Sequence, residues 1–162
     1  MSETKFRRLK LDELNDVRDQ FVKFLAVNGI DANSWQTIKV EDPQRADGLI
    51  LQFSQIVFSG VIERVKYLVH RKPNDLRTYK TDEDKIYMRG ILLDGVTTVD
   101  FTRDEYSPKE MFERLQADQV KAKLYSAERA YLPIGRDQDI FHLLEQGALI
   151  DEGELFRTLE EI

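Results

Sequence analysis

The chain has 162 residues, of which 41% are hydrophobic and 33% charged, a globular composition that fits one domain, residues 1–162, and excludes disorder. It has no cysteine, which excludes disulfide scaffolds, thiolate metal sites and cysteine nucleophiles. Its formal net charge of −6 makes a nucleic-acid partner the least favoured reading.

No window approaches the roughly 18 apolar residues of a membrane span. The charged start Met1-Ser2-Glu3-Thr4-Lys5 has no apolar stretch behind it, so no signal peptide and no membrane association are expected, and the expected location is the cytoplasm.

The first predicted helix runs from about Leu11 to Asn28, with Leu14, Val17, Phe21, Phe24 and Leu25 on one stripe. Asn28-Gly29 stops it. Asp31 caps a second helix, Ala32 to Glu41, in which Trp35 and Ile38 should pack inward. Asp42-Pro43 opens a long helix expected to reach Val69. Gln52, Gln55, Ser59, Glu63, Lys66 and His70 form its polar stripe, and apolar residues fill most of the rest. Such a helix should be buried on more than one side.

The period then changes from helical to alternating. Leu76 to Lys80 reads as a short strand. Lys85–Leu93 and Val96–Thr102 read as a hairpin closed by a two-residue turn at Asp94-Gly95. That register places Arg89 opposite Asp100, with Met88, Leu92, Val99 and Phe101 on one face. Ser107-Pro108-Lys109-Glu110 opens a helix to about Ala117. A strand follows over Val120–Tyr125. Asp137 should cap a helix to Gln146, and Asp151 a last helix carrying Leu155, Phe156, Leu159 and Ile162, the two forming a helical hairpin. The expected architecture is α+β: a small antiparallel sheet built on a central β-hairpin, packed against the long helix, with an N-terminal helix and a C-terminal helix pair.

Phosphate loops, nucleophile elbows and zinc-protease signatures are absent from the sequence. With two histidines, His70 and His142, a histidine-rich metal site within one chain is excluded. No cofactor is implied, and a non-catalytic role is the expectation. Charge is segregated. Arg64, Lys66, Arg71, Lys72, Arg77 and Lys80 stand against Asp75 alone between residues 64 and 80, while residues 137–162 are strongly acidic. Basic residues favour helix C-termini on structural grounds. The functional reading of the same residues is an anion site built from Lys66, His70, Arg71, Lys72 and Arg77 beside Tyr67. Either the basic segment faces the acidic C-terminal region, or it is free for a partner.

The arrangement Phe24-Leu25-Ala26, Asn28-Gly29-Ile30, Trp35, Ile38-Lys39, Pro43, Phe53-Ser54, Ile56-Val57 and Val65-Lys66-Tyr67-Leu68 with His70-Arg71 resembles an uncharacterised family of short bacterial proteins. Ile140-Phe141 and Leu144-Glu145-Gln146-Gly147 are similar to that family's C-terminal end. The resemblance implies a small cytoplasmic protein of unknown function and brings no activity, cofactor or catalytic residue with it. The expected function is a protein-interaction module, as a homodimer or with another protein. The alternatives are a small-anion or small-ligand-binding protein, an enzyme included, around His70, and then a nucleic-acid binder.

Overall fold

A computed structural model describes residues 5–103 and 106–162. The chain divides into two compact units, residues 1–63 and 64–162.

The first unit is helical: α1 (Leu11–Asp16), α2 (Arg18–Val27), α3 (Ala32–Glu41) and α4 (Pro43–Glu63). The single N-terminal helix predicted from the stripe is broken at Val17, where the backbone tightens and the Val17 amide bonds to Leu14 at 3.2 Å. Neither Pro nor Gly marks the break. Both halves still lay Leu14, Val17, Phe21 and Leu25 on one cluster with Ile38, Ala46, Ile50 and Phe53. Asp31 caps α3 by accepting from the Ser34 amide at 2.7 Å, and Asp42 caps α4 through the Arg45 amide at 3.2 Å.

The N-terminal segment is held on α4 by polar side chains. Ser54 Oγ accepts from the Leu9 amide at 2.8 Å and donates to the Ile50 carbonyl at 2.7 Å. Gln55 accepts from the Phe6 amide and donates to the Phe6 carbonyl. Ser54 is fully buried, so Ser54→Ala strands the Leu9 amide. The expected loss is about 1–3 kcal/mol, read as a shift in urea midpoint at constant slope.

The second unit holds a five-stranded antiparallel sheet in the order β4-β3-β2-β1-β5. Its strands are β1 (Tyr67–Lys72), β2 (Asp75–Thr81), β3 (Lys85–Asp94), β4 (Lys121–Ala130) and β5 (Leu149–Asp151), with helices α5 (Pro108–Ala117), α6 (Arg136–Glu145) and α7 (Glu154–Glu161). The fold class is α+β as expected, but four details differ.

The long helix ends at Glu63, and the segment predicted as its last turns is β1. Leu68 and Val69, adjacent in sequence, are both buried; a strand can bury neighbours on its two faces. The backbone of β1 is paired with β2 along its length and with β5 over Tyr67–Val69.

The predicted Asp94-Gly95 hairpin does not form. β3 pairs on one side with β2 and on the other with the whole of β4, so Arg89 faces Thr78 and Ser126, not Asp100. Residues 96–102 run irregularly and are held by side-chain hydrogen bonds. The Asp118 carboxylate accepts from Thr97 Oγ1 at 2.6 Å and the Thr98 amide at 3.1 Å, and Asp100 accepts from the Thr102 amide. Bonds such as that of Asp100 to the Thr102 amide compete locally with a ladder. Val99 and Phe101 still enter the core, packed with Ile91, Leu93, Met111 and Leu115. Leu92 lies on the other face of β3 from Ile91 and Leu93 and is exposed.

The predicted C-terminal helical hairpin is interrupted by β5. α7 packs on α5, β2 and β3, contributing Leu155 and Leu159 to the core. The caps also differ: Gly135 precedes α6 and Gly153 precedes α7. The Asp151 carboxylate accepts from the Gly153 amide at 2.9 Å.

Candidate functional site

Strand alternation divides the six residues proposed as an anion site. Tyr67, Val69 and Arg71 point to one face of the sheet, and Leu68, His70 and Lys72 to the other. Tyr67 packs against Phe156 of α7 in a tilted pair with ring centroids 5.7 Å apart and lies under the Arg157 guanidinium at 5.4 Å. Arg71 donates to the Phe101 carbonyl at 3.0 Å. Lys66 precedes β1 with its side chain exposed. The structure therefore groups His70, Lys72 and Arg77 on one face and sets Tyr67 and Arg71 apart from them.

The sequence places His70 at the end of the polar stripe of the long helix, near that helix's C-terminus. His70 lies mid-strand, yet its Nε2 donates to the Gln146 carbonyl at 3.3 Å. Gln146 is the C-terminal cap of α6. The favourable meeting of histidine and helix C-terminus is realised, with a different helix.

Register places His70, Arg77, Gly90 and Tyr125 in one row across β1, β2, β3 and β4. Gly90 leaves the room that the Tyr125 ring occupies there. A Cβ on it would sit 2.1 Å from the Tyr125 ring. The ring crosses this gap, and Tyr125 donates its hydroxyl hydrogen to Asp75. Arg77 Nε donates to the same phenol oxygen at 3.3 Å and lies 3.4 Å from the Asp75 carboxylate. Burial first, then the Asp75 carboxylate, pushes the Tyr125 phenol up to about 12.

A phenol raised in the folded state contributes stability that is intact below the ordinary tyrosine range and lost as pH climbs through about 12. In a phenolate absorbance titration Asp75→Asn should lower the Tyr125 transition. Gly90→Ala should displace the ring and lower it too.

Asp139 on α6 is another partner that the sequence does not mark. It is 2% exposed and accepts a bidentate pair from Arg129 of β4 at 2.6 and 2.7 Å, plus the Leu132 amide at 3.0 Å. The Arg129 hydrogen bonds outweigh burial and hold its carboxyl below the usual range.

Pairing of the basic segment with the acidic C-terminal region, one of the two arrangements the sequence leaves open, is not built from ion pairs among the described residues. Among the described residues, Arg77 alone of the basic side chains between 64 and 80 is in a salt bridge, and its partner is Asp75.

The sheet ends in β4 on one side and in the three-residue β5 on the other, so β4 is its long open edge. It is ten residues long, and every residue except Tyr125 is exposed. No described strand pairs with its outer side. Lys121 and Lys123 share the face of Tyr125 and make no ion pair among the described residues. Ala122, Leu124, Ser126 and Glu128 occupy the opposite face. Sequence reasoning identified part of this strand but not that it is an edge, because strand order is a long-range property.

These features define a small α+β protein. Its described residues contain no group of three or more His, Cys, Asp or Glu placed to hold a metal ion, and no helix long and apolar enough to cross a membrane. The chain belongs to a family of unknown function, DUF6495, which it matches over residues 1–162; the resemblance seen in its scattered apolar and aromatic positions is membership of such an uncharacterised family. No curated protein and no solved structure matches it.

Proposed function

We propose that this protein is a non-catalytic interaction module whose β4 edge receives an extended acidic segment of a partner protein. The observation that carries the reading is the ten-residue exposed edge strand with two uncommitted lysines on one face. An open edge offers a row of backbone donors and acceptors, and strand addition supplies affinity through them while alternate side chains supply specificity.

Self-pairing of two β4 edges fits less well. A two-fold antiparallel pairing keeps each face of the sheet with itself, so opposing residues share parity. Glu128 is the one acid of β4 and lies on the face opposite Lys121 and Lys123. It meets neither lysine in any such register, and the register centred on Tyr125 sets Lys121 against Arg129. Like charges directly opposed are destabilising. An acidic strand with apolar residues toward Leu124 satisfies both faces.

The small-anion reading is weaker on this geometry. Arg77 already bonds to Tyr125 and Asp75, and Arg71 to a carbonyl.

Selection of twelve-residue peptides displayed on phage against the full chain tests the reading. Enriched peptides should be acidic and strand-forming, and should bind a Lys121→Glu, Lys123→Glu variant at least tenfold more weakly, with affinity falling as salt rises. Neutral or basic enriched peptides, or equal binding to the variant, would overturn it.

A further inference from the structure

The helical unit contains a second feature, independent of the sheet: an apolar groove of about 540 Å³ between the N-terminal segment and α1–α4. Its lining includes Leu14, Phe21, Leu25, Ile30 and Trp35, and its volume falls in the range of small-molecule sites, roughly 300–1,000 Å³. Leu11 and Val22 line it and remain exposed.

Three cations border this groove in a chain of net charge −6: Arg8, Arg18 and Lys39. Arg8 is paired with Asp47 at 2.8 Å, and the Lys39 ammonium lies 5.9 Å from the Trp35 ring centroid. The Arg18 side chain makes no hydrogen bond or ion pair among the described residues. One carboxylate, Asp31, also lines the groove, and it is engaged by the Ser34 amide at the start of α3.

An apolar floor under a cationic border fits an amphipathic anion with its chain inside and its head at the mouth. A protein surface is a poorer match, since stable docking takes about 800 Å² on each partner. We infer that the groove binds a long-chain carboxylate, its apolar chain along Leu14, Phe21 and Leu25 and its head group at Arg18 and Lys39.

Trp35 is the chain's single tryptophan and lines the groove, so its fluorescence reports occupancy directly. The test titrates the full chain with dodecanoate below its micelle concentration, with dodecanol and dodecyltrimethylammonium as neutral and cationic counterparts. Calorimetry runs in parallel. Dodecanoate should change Trp35 emission saturably and bind at least fivefold more tightly than either counterpart. Arg18→Glu should weaken dodecanoate at least fivefold and leave dodecanol unchanged. Ala26→Phe, at an exposed position in the lining, should fill the groove and abolish the heat of binding without unfolding the chain.

Absence of any emission change or heat would overturn the inference. So would equal binding of dodecanol and dodecanoate, or binding that survives Ala26→Phe. None of these outcomes bears on the β4 edge, and peptide capture at that edge does not bear on the groove.

Discussion

Arg129→Ala is expected to destabilise the chain by about 2–3 kcal/mol, somewhat less than the roughly 3–5 kcal/mol for breaking a fully buried ion pair. The reduction reflects geometry: the Arg129 side chain is 45% exposed, whereas that of Asp139 is 3% exposed. Removing the arginine leaves a carboxylate buried at the start of α6 with one remaining partner, the Leu132 amide. The effect has a pH signature. A carboxyl held low in the folded state adds stability above its unfolded pKa, and that stability disappears as pH falls through the folded value. Asp139 is lowered chiefly by Arg129. Glu13, bonded by Arg7 at 2.7 and 3.0 Å, is lowered to about 2 from an ordinary 4.5. Wild-type stability should therefore fall between about pH 4.5 and 2. Arg129→Ala should flatten the part of that limb due to Asp139, and denaturant melts across this window measure the difference.

Phe101→Ala is expected to cost about 3–5 kcal/mol, the usual loss for a large aromatic ring emptied from a core. Phe101 has no exposed surface, although the segment carrying it is neither helix nor strand. Its amide donates to the Pro73 carbonyl at 3.1 Å and its carbonyl accepts from Arg71. An irregular segment is thus pinned to the β1–β2 turn by backbone and to the core by one ring. The control is Val96→Ala, at a residue 95% exposed, which should change stability by no more than about 0.5 kcal/mol. Urea melts of the two variants decide the matter. Equal, small shifts would mean that residues 96–102 do not pack as described.

Local chemistry was legible in the sequence, and pairing at a distance was not. Asp31 and Ser107 each cap their helix through the amide three residues on, and α3 runs over the residues its pattern predicted. Asp42-Pro43 likewise marks the start of α4. These signals lie within one turn of the chain. The end of α4 was not legible, because Val65, Leu68 and Val69 fit helical spacing as well as they fit two faces of a strand. The bonds of β1 to β2 and β5 decide between the two. β4 extends through Ser126–Ala130, residues with modest strand preference, because Lys85–Arg89 pair with them. The candidate site shows the same division. The basic segment was visible as composition, but which of its side chains share a face depended on reading residues 67–72 as strand. Tyr125 meets Asp75 across fifty residues, and Ser54 meets Leu9 across forty-five; neither pair has a local signature.

The most direct measurement of the β4 proposal is amide hydrogen exchange of residues 121–130 in the free chain and with an acidic strand-forming peptide from the selection. Outward-facing amides of a free edge exchange quickly, whereas those in a ladder are protected. Peptide should slow exchange at alternate amides of β4, and Lys121→Glu with Lys123→Glu should remove this protection. Unchanged exchange in β4 with the peptide bound, or protection confined to another surface, would contradict the β4 proposal.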